Sequence, residues 1–538
     1  MDWRDWVNRG LERLTEVVDP GTPVHDDHRE HRRGAQLYRD RRSHASNVVR
    51  VHDAERSMLA WERDLLRNDP GDAPGVRLLG NGGLTQRQET EGIALVGAQG
   101  VGKTTMMRRV IRQAISRGDL VCVHDAKGEY TQWLKAAHPA TTALLAPWDK
   151  RAARWLLGED LRTRLDAQDG AATFVPDIPG DRQPFWRAAS RGVLEGVLLD
   201  EIAEHHGRSA LWSWGDLWCD WFARGRPATV ARLSRSAEGR AAASVITGKA
   251  EKASSEDVWS TLVSIINPLK HLAAAWPDAN PERAISVRAW LARATPYQVV
   301  ILPTIAGYEE LGKTVSRLWV QLMARQLLSM PDSRERRVWV VLDEVPRLGE
   351  VPALLELQTR SRAKGGRICV GTQDVGQLRA VWGRDRAMAL LNVGTLVVFR
   401  TSDPELAEWA AKALGRRELT EWQQSRGEHH GHEDTRSHSW TAHTREEYLV
   451  LPSELAQLPP LVAYTRVAGW PFVMPWSWST PASDDQQTAV VEEADWVSCP
   501  IDLDDKGDGA GGAPVPGGGR RQSGPPGRRR FDLSGGRG

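Results

Sequence analysis

The segment Gly97-Ala98-Gln99-Gly100-Val101-Gly102-Lys103-Thr104 follows the spacing GxxxxGK[ST]. Glycines placed this way let successive backbone N–H groups turn inward around an anion, and a helix that follows adds partial positive charge at its amino end. In such a phosphate loop Lys103 reaches the β- and γ-phosphates, Thr104 offers its hydroxyl to Mg²⁺, and Thr105 touches the α-phosphate. The chemistry needs a second acid on a neighbouring strand. Val338-Trp339-Val340-Val341-Leu342-Asp343-Glu344 supplies an apolar run and then two carboxylates, at the strand end where ligands of open α/β sheets sit. Asp343 is expected in the Mg²⁺ shell. Glu344 is placed to orient and deprotonate a water, which favours hydrolysis over mere binding. No NKxD-type guanine motif is present, so ATP is the expected nucleotide.

Three further residues fit a motor built on this site. Gln373 ends the apolar run Arg367-Ile368-Cys369-Val370-Gly371-Thr372, where a polar side chain can sense the γ-phosphate. Arg362 and Arg400 stand at the edge of the expected core and could serve a neighbouring subunit as arginine fingers. Other clusters carry less. Glu428, His429, His430, His432, Glu433, His438 and His443 match no familiar metal-ligand spacing, and residues 425 to 443 read as a solvated polar loop. Four cysteines, Cys122, Cys219, Cys369 and Cys499, form no CxxC pair, which argues against a zinc ribbon or a disulfide scaffold.

The elements that must position the site are legible as alternating patterns. From about residue 90 the chain reads strand, glycine loop, helix, strand (GIALVG, AQGVGKT, TMMRRVIRQAISRGD, LVCVHD), the βαβ signature of a parallel sheet covered on both faces. Strand patterns return at 297–304, 338–345, 366–373 and 394–401. Between about 181 and 280 the β pattern disappears and helical stretches take over. The expected division is a polar N-terminal extension at 1–70, a first motor segment at 71–180, an all-α insertion at 181–280, a second motor segment at 281–500 and a disordered Gly/Pro/Arg-rich tail at 501–538. In the extension, Trp3, Val7, Leu11, Leu14 and Val18 line one stripe of a short helix, which either docks on this chain or meets a partner or membrane surface.

Composition bounds the function classes. With 538 residues, 41% hydrophobic and 26% charged, the chain is globular and long enough for more than one core. Lys+Arg is 71 against Asp+Glu 70, so any nucleic-acid surface must be local rather than global. No uncharged stretch is long and apolar enough to span a bilayer: 467–483 carries Pro471, Pro475 and Pro481. Tryptophan is 24 against 6 Tyr and 6 Phe, so most tryptophans are expected in core positions, with a few free to stack on bases.

Together GAQGVGKTT, HDAKGEY at 124–130, LDEVPRLGEVPALLELQTRSRAKGGRICVGTQDVGQLRAVWG at 342–383 and LLNVGTLVVFRTSDPELAEWAAKALG at 390–415 resemble the type IV coupling proteins of conjugation, of the TraD and TrwB kind, and more distantly the FtsK and HerA pumps. HRRGAQL at 31–37 and LVLPSELAQLPPL at 449–461 extend the likeness over about 31 to 475. The resemblance implies a RecA-like α/β motor with an all-α domain inserted after the second strand, assembled as a homo-hexamer around DNA. It also implies ATP-driven transport of relaxase-bound DNA towards a type IV secretion channel, with little dependence on DNA sequence. Gln373 matches the family's glutamine motif, Arg362 its candidate trans arginine, and Asp125 and Lys127 its D-x-K-G string, for which spacing alone suggests no physical role. The family usually carries transmembrane helices ahead of the RGA segment, where about thirty polar residues stand in this sequence. Two arrangements follow: a separate anchor subunit bound through 1–18, leaving the protein cytoplasmic and peripheral at the inner face of the membrane, or a soluble pump. The competing readings are a soluble DNA translocase or helicase of a mobile element, defence or repair system, and a nucleotide-binding adaptor without motor activity.

Overall fold

The computed structural model describes residues 47–48, 51–177, 184–206, 211–247, 252–277, 283–429, 435–470, 472–477 and 488–498. The helix expected at 1–18, the HRRGAQL segment and the tail at 501–538 lie outside the described residues. The strands in chain order are β1 (Asn47–Val48), β2 (Pro74–Leu79), β3 (Gly82–Thr85), β4 (Ile93–Val96), β5 (Leu120–Asp125), β6 (Thr142–Leu144), β7 (Arg154–Trp155) and β8 (Ala284–Ile285). They continue as β9 (Val299–Pro303), β10 (Val338–Leu342), β11 (Gly366–Thr372), β12 (Thr395–Phe399), β13 (Arg416–His429), β14 (Thr435–Tyr448), β15 (Val462–Val467) and β16 (Phe472–Ser477).

A ten-stranded sheet in the order β1-β16-β15-β12-β4-β11-β10-β5-β9-β6 organises the molecule. From β12 to β6 every neighbouring pair is parallel. These strands are near-continuous apolar runs because both faces are covered. Within β10, Val338, Val340 and Leu342 enter one buried cluster with the long helix Glu309–Ser329 and the helical insertion. Trp339 and Val341 enter the other, with the helices Lys103–Ser116 and Glu129–Ala137.

The sheet is largely parallel, as expected, and becomes mixed only on the far side of β12. β15 runs antiparallel to β12, with Phe399 opposite Ala463 and Thr395 opposite Val467, and β16 returns antiparallel to β15. Proline hid β16, which lies one short strand in from the sheet edge: Pro475 sits within it, beyond the two residues that pair with β1, where few ladder donors are needed.

Helices occupy the chain between β7 and β8, which pair with each other as a separate short ribbon, Arg154 opposite Ala284 and Trp155 opposite Ile285. This block follows β6, the third strand of the main sheet from β4, and not the second. Its helices begin with the single turn Leu157–Asp160 and the helix Arg164–Phe174, ahead of residue 181, and the latter packs on Pro184–His205. Trp155 meets Trp214 and Trp319 edge-on at centroid separations of 5.5 and 5.1 Å. Here the excess tryptophan serves as core. At the neck, buried Asp160 accepts from Trp155 Nε1 at 2.7 Å and from the backbone N–H groups of Val287 and Arg288 at 2.9 and 3.0 Å.

A correction concerns 425–443. The described part of that segment is no loop but the far end of an antiparallel ribbon, β13 against β14, registered from Arg416–Tyr448 to His429–Thr435. Backbone pairing defines this ribbon, and its polar sequence gives no hydrophobic alternation to read.

Candidate functional site

β4 delivers the chain into the loop 97–102, and the helix Lys103–Ser116 leads away from it. The loop is tied down on three sides. Gly97 N donates to Thr372 O at 3.3 Å, Ala98 N to Arg400 O at 2.8 Å, and Leu461 N to Val101 O at 2.8 Å. Two glycines are obligatory here. A Cβ on Gly97 would lie 2.7 Å from Phe399 Cβ, and one on Gly102, whose φ is +115°, would lie 2.7 Å from Leu461 Cδ2. Gln99 and Gly100 at the tip are exposed, and Thr104 and Thr105 are half-buried in the first helical turn.

Lys103 is buried and folds back on its own loop, donating to Gly97 O at 2.6 Å and Ala98 O at 2.8 Å. Burial pulls its pKa down to about 8, although Glu344 and Asp343 nearby work in the opposite direction. Those acids follow β10, flanked by β5 and β11. Asp343 is buried and accepts a hydrogen bond from the Tyr130 hydroxyl at 3.3 Å. Burial, reinforced by the charge of Asp125, pushes its carboxyl up to about 7. Glu344, also buried, is raised by burial and drawn back by Lys103. Its Oε1 meets Gln373 N at 3.4 Å, whereas Oε2 has no hydrogen-bond partner among the described residues. Buried polar atoms left in this way are expensive unless a ligand satisfies them.

The structure therefore brings Gly97 to Thr105, Asp343, Glu344 and Gln373 together at the carboxyl edge of the sheet. The arginines divide. Arg400 follows β12 and its carbonyl holds the phosphate loop of its own chain. Arg362 lies on the short turn before β11, at the amino edge, where it pairs with Glu91 at 3.2 Å with half its side chain exposed. It does not join the site of its own chain.

The D-x-K-G string acquires a physical role. Asp125 is fully buried and its carboxylate accepts from Lys127 N (3.3 Å), Gly128 N (2.8 Å), Thr131 N (2.7 Å) and Thr131 Oγ1 (2.8 Å). This turn starts the helix Glu129–Ala137 and sends Tyr130 to Asp343. Tyr130 was missed by sequence reasoning. The signal was the string itself, directly after a strand, but no spacing rule says that its tyrosine reaches an acid 213 positions away.

Residues 78–474 match the family model described as the type IV secretion-system coupling protein DNA-binding domain, and the chain belongs to that family. It is 26% identical over 411 residues to coupling protein TraD of Escherichia coli (strain K12), an alignment covering 75% of this chain and 54% of TraD. The chain thus spans about half the length of that relative. An unbound form of the bacterial conjugative coupling protein TrwBdeltaN70 superposes with a TM-score of 0.62 at 21% identity, covering 79% of this chain and 93% of that one. Plasmid coupling protein TrwB in complex with ADP and Mg²⁺ superposes with a TM-score of 0.63 at 20% identity, covering 84% and 97%. Both share the fold. Among the described residues no helix is long and apolar enough to cross a membrane.

Proposed function

We propose that this chain is the ATPase motor of a conjugative coupling protein, moving DNA at the expense of ATP. The observation that carries the reading is the convergence of a buried lysine bonded to the carbonyls of its own loop with two buried acids, one of them holding an oxygen that has no partner among the described residues. The residues fit a Mg²⁺-nucleotide. Lys103 exchanges the carbonyls of Gly97 and Ala98 for β- and γ-phosphate oxygens. Thr104 and Asp343 hold Mg²⁺, which when bound neutralises phosphate charge. Asp343 loses its proton on taking that role, since a metal ligand must be ionised. Glu344 orients the attacking water and takes its proton through the free oxygen, and Gln373 reports the state of the site through its contact with Glu344. The shared fold with TrwB, whose structure holds ADP and Mg²⁺, supports a Mg²⁺-nucleotide as the ligand.

In the same reading, the protein works as a homo-hexamer in which Arg362 reaches the nucleotide of a neighbouring subunit, while Arg400 stays beside its own. DNA is gripped through phosphates by local basic patches, so affinity falls steeply with salt and little with sequence. A relaxase supplies the DNA, a type IV secretion channel receives it, and a membrane subunit holds the motor at the inner face. The test is phosphate release with and without single- and double-stranded DNA. DNA-stimulated release that vanishes in Glu344→Gln is the expected result. Release in Glu344→Gln at the wild-type rate overturns the assignment.

A further inference from the structure

We propose that Lys127 is a second phosphate-binding residue, contacting the terminal phosphate of a bound nucleoside triphosphate from the β5 side of the site. The inference rests on the nucleotide reading above and deepens it. β5 lies beside β10 with His124 opposite Leu342, so Asp125 stands level with Asp343 and Lys127 lies just beyond the strand end. The backbone at Lys127 is fixed from several directions. Asp125 holds it from within through the N–H groups of Lys127 and Gly128. Arg347, three residues past Glu344, donates to Ala126 O at 3.2 Å, and Tyr130 binds Asp343. From outside, the segment 488–497 crosses the turn. Gly128 has φ +84°, and a Cβ there would stand 2.4 Å from Val490 Cγ1, so the side chain of Val490 occupies the face that glycine leaves open. Thr488 N donates to Gln132 O at 3.2 Å and continues the contact along the next helix.

The turn is therefore rigid while its lysine is left without a partner. Lys127 is half-buried, and its ammonium makes no ion pair among the described residues. Because β5 ends beside β10, Lys127 follows the strand end next to Asp343 and Glu344, with Glu129 opening the helix after it. A structural ammonium in such surroundings closes on one of the acids. This one stands off both, held by a turn that has been immobilised on every side, and this is the arrangement of a cation kept for an anionic ligand. Phosphate oxygens entering between Lys103 and Lys127 meet two ammonium groups in a partly dehydrated site, where each attraction is stronger than in water.

The experiment compares wild type, Lys127→Met and Lys127→Arg by calorimetric titration with Mg²⁺-ADP and with a non-hydrolysable Mg²⁺-ATP analogue, alongside thermal unfolding. Lys127→Met is expected to weaken the analogue about tenfold or more, the scale of one lost charge-assisted bond, while ADP changes by less than about threefold. Lys127→Arg recovers most of the loss, and the unfolding midpoint of both variants stays with wild type. Analogue affinity in Lys127→Met within about twofold of wild type overturns the proposal, as does a parallel loss of ADP and analogue, which would assign the residue to the shape of the turn. Lys103→Ala separates the two readings: it loses both nucleotides. A wild type that binds neither nucleotide overturns the nucleotide reading and this one with it.

Discussion

At the amino ends of the central strands, Glu89 and Asp119 are wholly buried and fully matched. Glu89 accepts from Val76 N, from both terminal nitrogens of Arg117 and from Arg367 Nε. Asp119 accepts from Arg117, Arg337 and Trp339 Nε1. At the carboxyl ends only Asp125 is matched in this way, and the charges that face the phosphate loop are not. Lys103 is satisfied by carbonyls, Asp343 has one hydroxyl at 3.3 Å, Glu344 Oε2 has nothing among the described residues, and Lys127 closes on neither acid. Both edges lie on the same sheet, a few residues apart along the same strands. The contrast separates charge that holds the fold from charge that is kept for a ligand, and it does so by the hydrogen-bond inventory rather than by residue type.

Breaking the matched edge should have the largest effect on stability. Glu89→Ala leaves Arg367 buried without its carboxylate and is expected to cost about 3–5 kcal/mol in denaturant unfolding, with nucleotide affinity of the folded protein within about twofold. Breaking the unmatched edge should do the reverse. Glu344→Gln is expected to reduce hydrolysis about 100-fold or more, the scale of a removed general base, while unfolding shifts by less than about 1 kcal/mol because no well-made bond is lost. A large loss of stability in Glu344→Gln, or of nucleotide affinity in Glu89→Ala, would collapse the distinction.

His124 sharpens the comparison through pH. It stands one residue before the end of β5, fully buried, with Nε2 on Thr304 Oγ1 at 3.0 Å and Nδ1 without a partner among the described residues. Burial, helped by the nearby Arg347 charge, depresses its pKa from 6.5 to about 3. The unfolded chain therefore binds a proton that the native state refuses. Stability contributed by this residue is present above pH 6.5 and falls as pH drops towards 3, by about 1.4 kcal/mol per unit. His124→Asn should flatten that part of the decline in unfolding measured between pH 7 and 5. The smallest effect belongs to Arg362. Its half-exposed pair with Glu91 is worth under about 1 kcal/mol, so Arg362→Ala should leave unfolding almost unchanged and lower hydrolysis only under conditions where subunits assemble.

Much of this was legible before the fold was known, and the exceptions have a common cause. The strands at 93–96, 120–125, 299–303, 338–342, 366–372 and 395–399 were readable because a strand covered on both faces must be apolar throughout. β15 and β16 were not, since a hairpin near the sheet edge tolerates proline and mixed polarity. The ribbon of β13 and β14 escaped for a related reason: it pairs backbone to backbone, and its polar sequence gives no hydrophobic alternation.

The amino-acid sequence by itself determined the phosphate loop, the acidic pair and their order along the chain, because each depends on neighbours within a few residues and on local backbone geometry. Only the tertiary structure decided which charges are matched. Asp125 and Asp343 come side by side because β5 pairs with β10, Arg362 goes to the far edge because it precedes β11 rather than follows it, and Val490 reaches Gly128 from more than three hundred residues away. Hydrogen bonding is satisfied in space and at short range, and sequence spacing carries no information about partners that the sheet order brings together.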